Sequence, residues 1–166
     1  MNPMKTADLF DHFDDLLKLC SVPLQLHGGR RRFCGPIATV RVFEDNVLVR
    51  ARLEEPGEGR VLVVDGGKSD RCALLGDMLA EIGEQSGWAG AVIYGCVRDS
   101  AELSEIQFGV AATGTCPRKS RKEGAGASDV PVTFGGVCYI PGHWVYVDDD
   151  GVAVSEKELV VPDISE

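Results

Sequence analysis

Asp77, Arg98 and Asp99 are the residues whose types and spacing could do chemistry. Twenty residues separate Asp77 from Arg98, enough for one helix and one strand to bring the chain back to the same place. Asp99 could ligate a hard divalent cation directly, with Asp77 acting on it through a water. Mg²⁺ favours such sets of one or two carboxylates, with water and substrate oxygens filling the remaining positions. Arg98 adds a planar fork suited to a carboxylate or an enolate oxygen. The same spacing is equally compatible with a surface ion pair between adjacent turn charges. What separates the two is how the surrounding elements place the three side chains.

Two apolar runs frame the group. Residues 61–64 (Val-Leu-Val-Val) read as a strand buried on both faces, and residues 91–97 read as a second strand that ends at Arg98-Asp99. A helix-length crossover between them implies a βαβ unit with parallel strands, and ligands gather beyond the carboxyl ends of such strands. The crossover, residues 68–87, has two readings. One helix could start at Ser69 and carry Gly76 in its interior, which costs about 1 kcal/mol against alanine. Alternatively residues 72–75 are extended and the helix starts at Gly76-Asp77. The second is preferred, because it leaves the amides of Asp77, Met78 and Leu79 free for an anion.

The rest of the chain supplies packing. Residues 6–20 have apolar side chains at helical spacing, with Thr6 as N-cap. Residues 24–27 are extended, Gly35-Pro36 opens a strand over 37–43, and Asp45 is placed to cap a helix over 46–53. After Asp99 come a short helix within 100–106, a strand over 108–113 and a long polar surface loop over 114–129. Short strands follow at 130–134, 137–140, 144–147 and 152–154, with Asp149-Asp150-Gly151 as a hairpin turn. The expected fold class is α/β, a central βαβ unit with additional antiparallel strands in one domain over residues 1–166.

The totals narrow the class of function. The chain has 166 residues, 44% of them hydrophobic, and a net charge of −9. Such an acidic chain is a poor binder of duplex DNA, which needs a basic face to neutralise phosphates. No apolar run approaches the length of a membrane span and the first residues show no signal peptide, so the expectation is a cytoplasmic protein without a membrane partner. Six cysteines lie scattered without a Cys-x-x-Cys pair, which argues for reduced, mostly buried thiols over a zinc site. Arg30-Arg31-Arg32 reads as a solvated or subunit-facing edge. Lys68, the three histidines and the glycine-containing residues 123–129 offer no supported Schiff-base, metal or nucleotide site.

Several stretches together resemble the family of regulator of ribonuclease activity A, which includes the metal-dependent 4-hydroxy-4-methyl-2-oxoglutarate aldolases. They are Asp65-Gly66-Gly67, residues 71–80, residues 87–99, Phe134-Gly135-Gly136-Val137 and Asp149-Asp150-Gly151-Val152. The resemblance runs from about residue 20 to 158. It implies a layered β/β/α, swivelling-type domain assembling as a homotrimer or a dimer of trimers. It also implies cleavage of a small anionic 2-keto acid, with oxaloacetate decarboxylation as a second activity. Gly76, Asp77, Met78 and Leu79 would bind the substrate carboxylate and Arg98 the substrate. Asp99 would hold Mg²⁺ (with Mn²⁺ or Co²⁺ as alternatives), and Asp77 would act through water. Glu102, three residues beyond Asp99, could sit on the same face of a short helix and orient a metal-bound water, though a solvated helix acid is the simpler reading of it. The rival implication is a non-catalytic regulator that binds and inhibits ribonuclease E, for which the basic run 118–122 could serve as a surface.

Overall fold

The structure is a computed structural model that describes residues 4–162. In chain order its elements are α1 (Thr6–Phe13), a 3₁₀ turn (Asp14–Leu16), β1 (Lys18–Leu19), β2 (Gln25–Leu26), β3 (Phe33–Arg41) and α2 (Val47–Glu54). Then come β4 (Val61–Asp65), β5 (Ala73–Leu75), α3 (Asp77–Gln85), β6 (Gly90–Val97), α4 (Ser100–Leu103) and β7 (Gly109–Thr115). The last strands are β8 (Ala127–Ser128), β9 (Val132–Phe134), β10 (Val137–Tyr139), β11 (Trp144–Asp148) and β12 (Gly151–Ser155).

The main sheet runs in the order β1-β12-β11-β3-β4-β6-β7-β2, with β5 added beside β6 and β8 beside β3. Its centre, β3-β4-β6-β7, is parallel, as the two apolar runs and their crossover require. The β11–β12 hairpin turns at Asp149-Asp150, where the sequence places it, and joins antiparallel to the first half of β3. β3 therefore changes neighbours midway: Phe33–Pro36 pair with β11, and the second half pairs with β4. This long strand couples the antiparallel set to the parallel centre.

β4 explains why the centre is apolar on both faces. All four residues from Val61 to Val64 are fully buried. Leu62 and Val64 join a core beneath α2, α3 and α4 that includes Leu53, Ala80, Leu103 and Phe108. Val61 and Val63 face the opposite core, with Phe33, Ile37, Phe134, Tyr139 and Val145. A strand covered on both sides has no face on which a polar side chain could be solvated.

Two sequence expectations need correction here. Helix α1 ends at Phe13, not near Cys20, because Lys18 and Leu19 leave the helix to pair with Val154 and Ala153 of β12. Thr6 is the first residue of the helix, not its cap: its backbone N–H and hydroxyl both donate to Asp148, each at 2.7 Å. The other expectation, a long polar surface loop over residues 114–129, holds in that the stretch is mostly exposed, but β7 runs on to Thr115, Ala127–Ser128 form β8, and the backbone is tied to the body of the protein. Ala73 N–H donates to the Arg118 carbonyl at 2.7 Å and Arg121 N–H to the Glu44 carbonyl at 2.8 Å. β8 then pairs with the end of β3, so the segment is tied down along most of its length.

Candidate active site

The site lies where β5 and β6 end side by side. The two strands are parallel, with Ala73 opposite Cys96 and Leu75 opposite Val97. Arg98 N–H donates to the Leu75 carbonyl at 3.0 Å, so the turn that carries Arg98-Asp99 is fastened to the turn that carries Gly76-Asp77. The crossover is broken as the sequence suggested: Ala73–Leu75 are strand, Gly76 is the N-cap and α3 begins at Asp77.

Gly76 is required by close approach, since its backbone (φ −134°, ψ −163°) is extended and open to any residue. A Cβ on Gly76 would stand 2.5 Å from Asp99 Oδ2 and 3.2 Å from Arg98 Cγ. With no side chain there, Asp99 reaches across and its Oδ2 accepts the Asp77 N–H at 3.1 Å. Asp99 itself adopts the left-handed conformation, φ 60° and ψ 44°, which aspartate tolerates better than most residues. That conformation turns the chain sharply into α4 and aims the carboxylate back at α3.

One detail departs from the sequence reading of the helix start. The amides of Asp77, Met78 and Leu79 were expected to be free for a ligand. Instead the Asp77 amide is held by Asp99. The positive end of α3 is attractive to anions, and here the site's own acids answer it. Asp77 pays electrostatically for this position. Burial pushes its carboxyl above the usual aspartate value, the hydrogen bond to Asp99 and the Asp99 charge push further, and Glu102 adds a smaller push.

Opposite the acids stand cations that the sequence reading had assigned elsewhere. The cleft has a volume of about 390 Å³, and Asp77, Arg98 and Asp99 share its lining with Asn46, Arg50, Lys119 and Lys122. Lys119 and Lys122 belong to the tied-down 114–129 segment. Lys122 donates to the Asn46 side chain, and burial, followed by the charges of Arg98, Lys119 and Arg50, pulls its ammonium below the usual lysine value, with Asp45 opposing. Among the described residues, Arg98, Lys119 and Lys122 have no carboxylate within ion-pair distance, whereas Arg50 is paired with Glu54 at 3.0 Å. In a chain of net charge −9, three cations left unneutralised around one cleft form a local anion receptor. The signal was present in the sequence as a basic run on an acidic chain; what it lacked was a location.

Other residues singled out from the sequence fall outside the cleft. Lys68 sits at positive φ in the turn after β4. Arg31 is exposed and paired with Asp149. Glu102 lies on α4, close enough to be felt by Asp77, but it does not line the cleft. Among the described residues no three of the His, Cys, Asp and Glu side chains gather into a metal cage. The donor set is thus two facing carboxylates, all oxygen. It fits a hard divalent cation that keeps most of its ligands as water and substrate, because the like charges of Asp77 and Asp99 need a positive neighbour.

Comparison with known proteins bears on the whole chain. A family model described as RraA-like, Aldolase/RraA, matches residues 6–154. A protein of Halorhodospira halophila, provisionally named 4-hydroxy-4-methyl-2-oxoglutarate aldolase, is 56% identical over 160 residues, covering 94% of this chain and 98% of that one. Two solved structures share the fold closely. One, from Geobacillus kaustophilus and named an S-adenosylmethionine:2-dimethylmenaquinone methyltransferase, is 60% identical with a TM-score of 0.92, covering 94% of this chain and 97% of that one. The other, the RNA-processing inhibitor RraA from Thermus thermophilis, is 44% identical with a TM-score of 0.91, covering 96% and 97%.

Proposed function

The chain belongs to the RraA-like family, and on that premise we propose that it is a divalent-metal-dependent aldolase. Its substrates are 4-hydroxy-2-oxo acids of the 4-hydroxy-4-methyl-2-oxoglutarate type, cleaved to pyruvate and a second keto acid. The observation that carries this reading is the cleft itself, where two facing carboxylates meet three unpaired cations at the ends of parallel strands. An anionic, oxygen-rich substrate is what such a surface holds.

A cation at Asp99, with Asp77 reaching it through water, would act as a Lewis acid on the 2-keto group. The protein's own groups do the rest. Arg98 takes the carboxylate next to the keto group, and Lys122 and Lys119 meet the second carboxylate across the cleft. Asp77, whose affinity for a proton is raised, orients the water that removes the proton from the 4-hydroxyl. The bond between the third and fourth carbons then breaks, its electron pair passing to the pyruvate half as an enolate whose charge Arg98 faces. For a substrate carboxylate to use the Asp77 amide, Asp99 must first turn away from it, so substrate and Asp99 compete for one donor. Loss of CO₂ from oxaloacetate gives the same enolate, and we include it as a second activity.

The deciding experiment is pyruvate release from 4-hydroxy-4-methyl-2-oxoglutarate and from oxaloacetate with Mg²⁺, with and without a chelator. Release that needs the metal and falls by at least about 100-fold in Asp99→Ala supports the reading. Release indifferent to the chelator, or undiminished in Asp99→Ala, overturns it. The likeness to the RNA-processing inhibitor favours a second reading, inhibition of ribonuclease E through the protein's surface. Inhibition of RNA cleavage that survives Asp99→Ala in a chain releasing no pyruvate would favour that reading. The methyltransferase name of the other neighbour finds less support here. Residues 123–129 are engaged with Asp45 and β3, and among the described residues no helix follows them.

A further inference from the structure

We propose that Asp45 is a positioning residue that clamps the 119–124 segment across the cleft and so sets where Lys122 meets the substrate. The proposal rests on the reading of that cleft as the substrate site. The sequence offered Asp45 as the cap of a helix over 46–53; the cap position belongs to Asn46, and Asp45 sits one residue before it. It is 2% exposed and, among the described residues, in no ion pair, an unusual place for an aspartate.

Its two oxygens divide their work. Oδ1 accepts the Val47 N–H at 3.0 Å, fixing the first turn of α2. Oδ2 accepts the Glu123 N–H at 2.7 Å and the Gly124 N–H at 3.0 Å, 78 and 79 residues away along the chain. Flanking contacts follow the same path. The backbones of Asp45 and Arg121 lie side by side in an isolated parallel β-bridge, Arg121 N–H donates to the Glu44 carbonyl at 2.8 Å, and Asn46 N–H reaches the Arg121 carbonyl at 3.4 Å. Lys122 lies inside this clasp, its ammonium donating to the side chain of Asn46. One buried carboxylate thus fixes both the helix that carries Asn46 and the segment that carries Lys122. The net effect of the backbone donors holds Asp45 below the usual aspartate value against the opposing cost of burial, consistent with a permanently ionised clamp.

Asp45→Ser separates the two halves of this role. A serine hydroxyl can still accept the Val47 amide, as such turns allow, while the Glu123 and Gly124 amides lose their acceptor. We expect amide hydrogen exchange across 119–126 to quicken at least about tenfold in the full-length variant, with α2 and α3 changing less than about threefold. With oxaloacetate and Mg²⁺, KM rises about tenfold while kcat stays within about threefold. In a Lys122→Ala background, adding Asp45→Ser changes KM by less than about twofold, since the two act through one contact. Unchanged exchange across 119–126 overturns the proposal, as do additive KM effects or a fall in kcat at constant KM. If the wild-type chain releases no pyruvate, the aldolase reading fails, and the exchange measurement still decides the clamp. Should Asp45→Ser not fold, Asp45→Asn undergoes the same exchange and kinetic measurements, because its single acceptor oxygen cannot serve both sides.

Discussion

Replacing Gly76 by alanine perturbs the site by one methyl group in a known direction. The new Cβ would stand 2.5 Å from Asp99 Oδ2 and 3.5 Å from Arg98 Nε. Ordinary contact requires about 3.5 Å, so the Asp99 carboxylate must retreat by roughly 1 Å. The backbone at Gly76 is extended, so alanine meets no conformational strain and the cost stays local. The retreat breaks the 3.1 Å bond from the Asp77 amide. A hydrogen bond to a charged group contributes about 1.5–3 kcal/mol, and this half-exposed one belongs at the lower end. The chain therefore folds, with a melting point lowered by a few degrees. Catalysis should suffer more, because about 1 Å of misplacement costs roughly 100-fold, or about 2.7 kcal/mol in the barrier. The assay is kcat/KM for pyruvate release from oxaloacetate at saturating Mg²⁺, beside a thermal melt. A kcat/KM within about threefold of wild type refutes the reasoning. It would mean that the position of Asp99 beside Gly76 has no part in the chemistry.

Further outcomes follow from the same geometry. Asp77→Asn keeps the shape of the side chain and removes a charge that faces Asp99 and Glu102. In chelator it should melt at or above the wild-type temperature, yet lose about 100-fold or more in turnover, the usual loss for a proton-handling group; a lower melting point refutes the repulsion. Lys122→Ala should raise KM for oxaloacetate about tenfold with a smaller change in kcat. In the wild-type chain KM should begin to rise at a pH below the usual lysine range, as the depressed Lys122 ammonium loses its proton, and Lys122→Arg should move that rise to higher pH. For Asp45 the folded value lies below the unfolded one near 3.8, so its stabilisation is full above that pH and fades as acid carries the solution through the depressed value. Urea unfolding at about pH 7 and about pH 2.5 should show the gap between wild type and Asp45→Ser closing in acid; an equal gap at both refutes the assignment.

Local sequence settled whatever depended on neighbours within one element. The run Val61–Val64 reads as a strand covered on both faces, and it is one. The same local logic placed the helix start at Gly76-Asp77, the two charges after β6 and the Asp149-Asp150 turn, because glycine, chain ends and apolar spacing act over a few residues. Tertiary structure decided what depended on partners far along the chain. The apolar spacing of residues 6–20 is helical, yet Lys18 and Leu19 pair with strand residues more than 130 positions away, and that ladder outweighs helix propensity. Residues 114–129 carry polar and glycine-rich local signals of a free loop. Their backbone donors find Asp45, the Arg118 carbonyl accepts the Ala73 N–H, and the Arg121 N–H donates to the Glu44 carbonyl, so the loop becomes a wall of the cleft. The chain's types and spacing singled out Asp77, Arg98 and Asp99 as candidates. Only folding brought Lys119 and Lys122 to face them, because a buried carboxylate recruits amides by geometry, and geometry between distant segments is written in no local pattern.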